Sequence, residues 1–397
     1  MRVLGLLLVL VAAIVIAILV PLPEHSVSTQ GKATSVTTSL ALRQSVGEGP
    51  APRYGGTPIH DACSLITIAD LDRLGVTLHD GWVVAHDYLD RDVPPAAAVS
   101  QPALDPASAC SHHLQNGNSL LIEVHQTPYN SAGDVESASG RAARKQADAR
   151  VEDELSVARW HDTDSWDIDL WRSGLLVQVS LTTDKPGPYG PFDAKTFATK
   201  LEPLVKAAVL RGPTAPMRHS YPAPFDRLKH PCEIAGTEAF YKSFLSTHSA
   251  AAVKTQFHPR HAMTPMDRHP ESALQGGMLC KRHNLVPDGV TNRAEYRELD
   301  LTTRFWDNPQ AAADRNAYRC DPLDKHPAGP PVAVSPTVGT GATCMTDLQI
   351  NWALDLQLDN VNISLTAALG DHKLTAGQRR DQLLPAAQAI AAAGVAN

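Results

Sequence analysis

Val177-Gln178-Val179-Ser180-Leu181-Thr182 and Val361-Asn362-Ile363-Ser364-Leu365-Thr366 are two versions of one hexapeptide, and they decide how the chain is read. Apolar and polar residues alternate in both, the period of a strand with one face buried and the other wet. Each is preceded by a partner strand (167–171 and 347–354) and followed by an apolar helical segment (194–210 and 376–393). Further upstream the correspondence continues. Ser119 to His125 matches Tyr296 to Thr302 as a strand, and an Ala-rich helical segment follows each (135–155 and 308–318). Earlier still, Cys63 and Cys232 each open a helix with apolar spacing, at Ile68, Leu71 and Leu74 and at Ala239, Phe240 and Phe244. The offset between copies grows along the chain, which places insertions in the second copy around 327–341.

The cysteines follow the same division. Cys63 and Cys110 lie 47 positions apart, Cys232 and Cys280 lie 48 apart, and Cys320 and Cys344 lie 24 apart. Six cysteines permit about fifteen pairings, and the duplication selects these three. An even count behind an export segment indicates disulfides in an oxidising compartment. On loop entropy the two longer closures stabilise by about 4 kcal/mol each and the shorter by about 3.5 kcal/mol. No Cys-x-x-Cys is present for redox catalysis, and no two cysteines sit close enough in sequence for a zinc motif.

Residues 3–20 form an uninterrupted apolar run, flanked by Arg2 before it and by Pro21 and Pro23 after it. As a helix it would reach about 27 Å, close to the hydrocarbon core of a bilayer. No small-x-small cleavage site follows, and no cysteine lies near its end to carry a lipid. The run therefore reads as an uncleaved single-pass anchor, with a cleaved signal segment as the alternative, its short N-terminus in the cytoplasm and the bulk of the chain extracytoplasmic. Residues 26–56 are rich in Ser, Thr, Gly and Gln and read as part of a flexible stalk. The expected organisation is an anchor at 1–21, a stalk at 22–58, an α+β domain at 59–212, an exposed Pro-rich linker at 213–225 and a second α+β domain at 226–397. Each domain is expected to be an antiparallel sheet with helices packed on one face.

At Asp61-Ala62-Cys63-Ser64-Leu65-Ile66-Thr67, continuing to Leu74-Gly75, the chain resembles a family of disulfide-bonded domains of unknown function. These occur in many actinobacterial, notably mycobacterial, exported lipoproteins. The first copy matches over most of its length. The second keeps Pro231-Cys232 and Cys280, loses the Ser-Leu-Ile-Thr run and gains Cys320 and Cys344. The chain also departs from the family in lacking a lipidated cysteine and in carrying two domains. The resemblance implies an envelope location and no established catalytic activity, and it transfers no catalytic residues.

Candidate chemistry is sparse. Asp162, Asp164, Asp167 and Asp169 alternate as calcium ligands can, but no EF-hand glycine or closing Glu follows, so a solvated strand face is expected. Of the seventeen histidines, eight form local clusters, at His112-His113, at His258, His261 and His269, and at His219, His230 and His283. Exposed or hydrogen-bonded rings are the expected reading for these, ahead of metal binding or pH sensing. Trp82, Trp160, Trp166, Trp171, Trp306 and Trp352 read as core and interface packing rather than a ligand groove. Gly-x-Ser-x-Gly and His-Glu-x-x-His are absent, and Gly339-Thr340-Gly341 lacks the lysine of a phosphate loop. The formal charge of −7 disfavours nucleic acid. The reading is a non-enzymatic, membrane-anchored envelope protein without cofactor or metal, binding a membrane protein, a lipid or an envelope polymer. A cell-wall hydrolase or transferase with its site between the domains is the alternative.

Overall fold

Cys110, Ala85, Thr255 and Cys280 stand in one row across four neighbouring strands, each the register partner of the next. Laterally paired residues share a face, so this row puts the buried faces of both halves on the same side of one sheet. The computed structural model describes residues 41–54, 56–87, 106–114, 117–145, 150–152, 154–161, 165–182, 194–244, 252–258, 274–284, 297–321, 329–348, 351–369 and 374–397. The expected anchor and the first part of the stalk, to residue 40, lie outside them.

Short strands β1 (Arg43–Val46), β2 (Arg53–Tyr54) and β3 (Thr57–Pro58) come first. The first half then runs α1 (Ala62–Leu65), α2 (Ile68–Arg73), β4 (Leu78–Asp87), β5 (Ser108–Leu114), β6 (Ser119–Gln126) and α3 (Ala132–Lys145). It closes with β7 (Arg150–Glu152), β8 (Leu155–His161), β9 (Ser165–Arg172), β10 (Leu175–Thr182) and α4 (Ala194–Arg211). After β11 (Met217–Ser220) the second half repeats the order. It runs α5 (Pro231–Ile234), α6 (Thr237–Phe244), β12 (Ala252–His258), β13 (Leu274–His283), β14 (Arg297–Trp306) and α7 (Pro309–Arg319). Then come β15 (Val332–Ala333), β16 (Cys344–Asp347), β17 (Trp352–Leu358), β18 (Val361–Leu369) and α8 (Ala376–Ala393).

Two separate sheets were expected, and the structure corrects this. One antiparallel sheet of 14 strands runs β15-β16-β17-β18-β14-β13-β12-β4-β5-β6-β10-β9-β8-β7. Its order is symmetrical about the β4–β12 pair, where Ala85 faces Thr255 and Val83 faces Phe257. One buried apolar cluster spans both halves, from Leu65 and Cys110 through Phe257 and Cys280 to Ile390. Residues 40–397 accordingly form one compact unit.

The helices also depart from a one-faced arrangement. α1, α4, α5, α6 and α8 cover the shared core, whereas α3 and α7 lie on the opposite face. Alternation in β14 shows why: Leu299, Leu301 and Phe305 point into the core, and Trp306 points away to pack on Ala311 and Ala312 of α7. Beneath α7 the layer is polar. Arg319 pairs with Asp355 at 2.9 Å, Asp355 accepts from Thr346 at 2.7 Å, and Asn362 joins Trp306 to the Ala312 carbonyl. Among the described residues no helix is long and apolar enough to cross a membrane. The expected transmembrane helix is therefore not among the described elements.

Disulfides close Cys63 to Cys110, Cys232 to Cys280 and Cys320 to Cys344. The first two tie α1 to β5 and α5 to β13, on either side of the β4–β12 pair. The third ties the end of α7 to β16. Stretches read as stalk and linker are ordered where they meet, because β1 pairs with β11 in register, Gln44 against His219. Leu42 and Tyr221 are buried there.

Phe257 carries the junction: it is fully buried and meets His219, His230 and Tyr221 with ring centroids 5.3, 5.8 and 6.2 Å away. Phe257→Ala is expected to destabilise by about 3–5 kcal/mol. Amide exchange should accelerate in β4 and in β12 together; acceleration confined to the second half would show that the sheet does not unfold as one unit.

Candidate functional site

α1 and α5 are single turns that point their cysteines at neighbouring strands, and the space between them is the site. Neither turn is long enough to stand alone, so each is held by side chains from outside it. In the first half, the Ala62 N–H donates to Ser108 Oγ at 3.0 Å. In the second, Arg282 Nε donates to the Ala235 carbonyl at 2.9 Å and its Nη2 to the Cys232 carbonyl at 3.0 Å. His112 and Arg282 occupy matching places, each two residues past its strand cysteine on the buried face. His112 faces the Ile66 carbonyl as Arg282 faces that of Ala235. Both positions set a donor against the carbonyl end of a helix turn, where positive charge is favoured.

A ribbon of β1 and β11 closes the site from above. Gln44 is its pivot: Oε1 accepts from the Ile68 N–H at 2.8 Å, and Nε2 donates to the Cys63 carbonyl at 3.3 Å. The same amide nitrogen lies 3.2 Å from His219 Nε2. An amide nitrogen only donates, so His219 Nε2 is the lone-pair nitrogen and Nδ1 carries the proton. Asp61, on the turn before α1, accepts the Met217 N–H at 2.8 Å and pins the other ribbon strand. At the rim Arg218 pairs with Glu233 at 3.1 Å, and Glu233 also accepts from the His230 N–H.

These elements line a half-open cavity of about 170 Å³ on the symmetry line of the sheet. Its walls include Cys63, Ala85, Thr255 and Cys232 together with Asp61, His60, His219, His230, Arg218 and Arg282. Both halves contribute to it.

Burial sets the protonation states. His219 is pushed down to about 3, first by loss of water and then by the neighbouring His112 and His230. His112 falls to about 4, mainly by burial, with the Ile66 carbonyl opposing and His113 assisting. His60 is lowered by burial against the opposing hydrogen bond that it gives to Gln126 Oε1. Arg282 is lowered by burial to about 10 and stays charged at neutral pH.

The structure brings His219 and His230 together, as their sequence clustering suggested, but places His283 on the opposite face of β13, beside the Asn284 carbonyl. His112 and His113 point to opposite faces of β5. His261, His269, Asp162 and Asp164 lie outside the described residues, as do the side chains of His258 and Trp82. Asp167 and Asp169 accept from Ser180 and Gln178 of β10, a strand-face pairing. Trp166 packs on the core and Trp160 is 40% exposed, so the tryptophans do not converge. Gly339 serves packing: a Cβ there would overlap the Gln357 carbonyl of β17. Among the described residues no group of three or more His, Cys, Asp or Glu is placed to hold a metal ion. Gln44, Ser108 and Arg282 were not singled out from sequence. For Arg282 a signal existed, since it and His112 share the second position after a cysteine.

No family model matches the chain, and neither a curated protein nor a solved structure does. Function has to be argued from the site itself.

Neutral buried histidines bind fewer protons than the same residues in the unfolded chain, so stability falls as pH drops below about 6.5. Each of His112 and His219 contributes a loss of about 1.4 kcal/mol per pH unit, down to its folded value. Asp300, raised to about 6 by burial and then by Glu298, has the opposite sign and regains part of this between about 6 and 3.8. The variant comparison isolates the histidine. His219→Gln is expected to be less stable than the parent at pH 7, and the gap should close by about 1.4 kcal/mol per pH unit below 6.5 in urea titrations. A constant gap would show that His219 is not held neutral.

Proposed function

We propose that the chain is a non-enzymatic binding protein of a bacterial cell envelope, extracytoplasmic and held at the membrane by its apolar segment 3–20. It presents the junction of its two halves to an envelope component or a membrane-protein partner. The cavity on the symmetry line carries the reading: it is the place where both halves, both cysteine turns and the ribbon converge on one space. Three disulfides and the export-like N-terminus support the compartment. The resemblance of Asp61 to Gly75 to exported actinobacterial domains supports the envelope.

Binding is favoured over catalysis by how the polar groups of the cavity are engaged. A hydrolase or transferase needs a nucleophile set against a base. Here Ser108 Oγ accepts from the Ala62 backbone, Thr255 Oγ1 lies 3.4 Å from the Ala85 carbonyl, and the cysteine sulfurs are locked in bridges. These groups hold the walls in place, which is what a preformed binding site requires.

Photocrosslinking in native membranes tests the reading. A photoreactive residue at Arg218, half-exposed on the rim, should yield a discrete adduct with one envelope component. The same residue at Tyr318, exposed on the α7 face, should not. Equal adducts at both positions, or none at Arg218, would overturn the assignment of the binding face.

A further inference from the structure

The donors and acceptors lining the cavity are unevenly engaged. Its acceptors serve the fold: Asp61 holds the Met217 N–H, Glu233 holds Arg218 and the His230 N–H, and Ser108 holds the Ala62 N–H. Its donors differ. Gln44 fixes His219 with Nδ1 protonated, and that N–H has no partner among the described residues although the side chain is 6% exposed. Arg282 brings a buried positive charge to the same wall, and Arg218 a second at the rim. A donor without an acceptor in a cavity wall leaves a hydrogen bond to be made, and a cation held in the interior attracts an opposite charge more strongly than one in water.

Size narrows the class. An apolar cavity of about 150 Å³ holds benzene, so about 170 Å³ suits roughly six to eight non-hydrogen atoms. A diamine would find acceptors that are already engaged. An apolar ring would leave the His219 N–H and the Arg282 charge facing hydrocarbon.

We propose that the cavity binds a small organic anion, a carboxylate of six to eight non-hydrogen atoms, through the His219 Nδ1–H and the guanidinium groups of Arg282 and Arg218. The carboxylate takes the ring N–H and lies against Arg282, and the remainder of the ligand reaches Arg218 at the rim. This rests on the binding reading of the same site and names the chemistry that the site accepts.

The full chain in detergent at pH 7 is titrated with succinate, with succinamide as the neutral molecule of matching size and with 1,4-diaminobutane as the cation. Isothermal titration and the 15N resonances of the histidine rings are read in parallel. Succinate is expected to bind and to shift the His219 ring signals, with succinamide and diaminobutane at least tenfold weaker. His219→Phe, which removes the donor, should weaken succinate at least tenfold. Arg218→Gln, at the exposed rim and without risk to the core, should weaken it severalfold. Equal binding of succinamide, no binding of succinate, or binding unchanged in both variants would each overturn the proposal. If succinate fails while the Arg218 crosslink persists, the anion is wrong and the binding face stands. If the crosslink fails while succinate binds, the site is real and the envelope partner is wrong.

Discussion

The pairing of β4 with β12 is the constraint on which everything else depends. β4 spans ten residues, and β12 joins it from Val83 to Asp87 in register. Each seven-stranded half, taken alone, would leave this strand as a long open edge, an invitation to pair with another chain. Pairing the two edges with each other satisfies both rows of backbone groups and ends the sheet instead in the short strands β7 and β15. Because Ala85 faces Thr255, the buried faces merge, and one core replaces two. The same register sets Cys110 and Cys280 three strand spacings apart, about 14 Å. That distance sets the cysteine turns apart, and Cys63 and Cys232 both line the cavity between the halves.

Much of this organisation is legible in the residues, and the reasons for the remainder are physical. The hexapeptides at Val177 and Val361 are strands β10 and β18, and the closing helices at 194 and 376 begin where the apolar segments do. Cysteine pairing follows from the internal likeness because a bridge must join the same elements in both halves. The fusion is different in kind. Pairing of 83–87 with 253–257 is a contact between residues about 170 positions apart, and a strand carries no mark of which neighbour it will take. Val253-Lys254-Thr255-Gln256-Phe257 alternates like any half-buried strand, so a wet edge and an interior junction look alike from sequence. Gln44 escapes notice, and His219 stands out only as one of a histidine cluster, for a related reason. They belong to Ser-, Thr- and Pro-rich stretches whose composition suggests disorder, yet four ribbon pairs and one well-placed amide suffice to order them.

The opposite face of the sheet records where the halves have diverged. Asp167 and Asp355 hold corresponding strand positions, but the first accepts from a strand serine while the second pairs with Arg319 of α7 under a buried layer. A charged pair 13% and 7% exposed contributes little net stability and costs much when one partner is lost. The Cys320–Cys344 bridge joins α7 to β16 beside this pair and keeps the helix seated over it. A covalent tie belongs where packing alone is polar and therefore conditional. In the first half, α3 packs on β8, β9 and β10 with its Val135 buried, and no bridge ties it down.

His112 and Arg282 show how an internal likeness becomes a site. Both sit two residues past a bridged cysteine and face the carbonyl end of a one-turn helix, so the fold asks for a donor at each. A neutral imidazole stands there in the first half without adding charge, its Nδ1 buried without a hydrogen-bond partner among the described residues. A guanidinium meets it in the second, and its charge persists in the interior. Two imidazoles would leave the junction uncharged at neutral pH and suited to packing. Two guanidiniums on either side of the symmetry line would repel across a medium of low dielectric. With one of each, the junction carries a fixed positive centre beside histidines that burial keeps neutral. The ribbon then adds a single oriented N–H from His219. A symmetrical scaffold thus acquires a polarised pocket through one difference between its halves, and recognition needs that polarity more than it needs the symmetry.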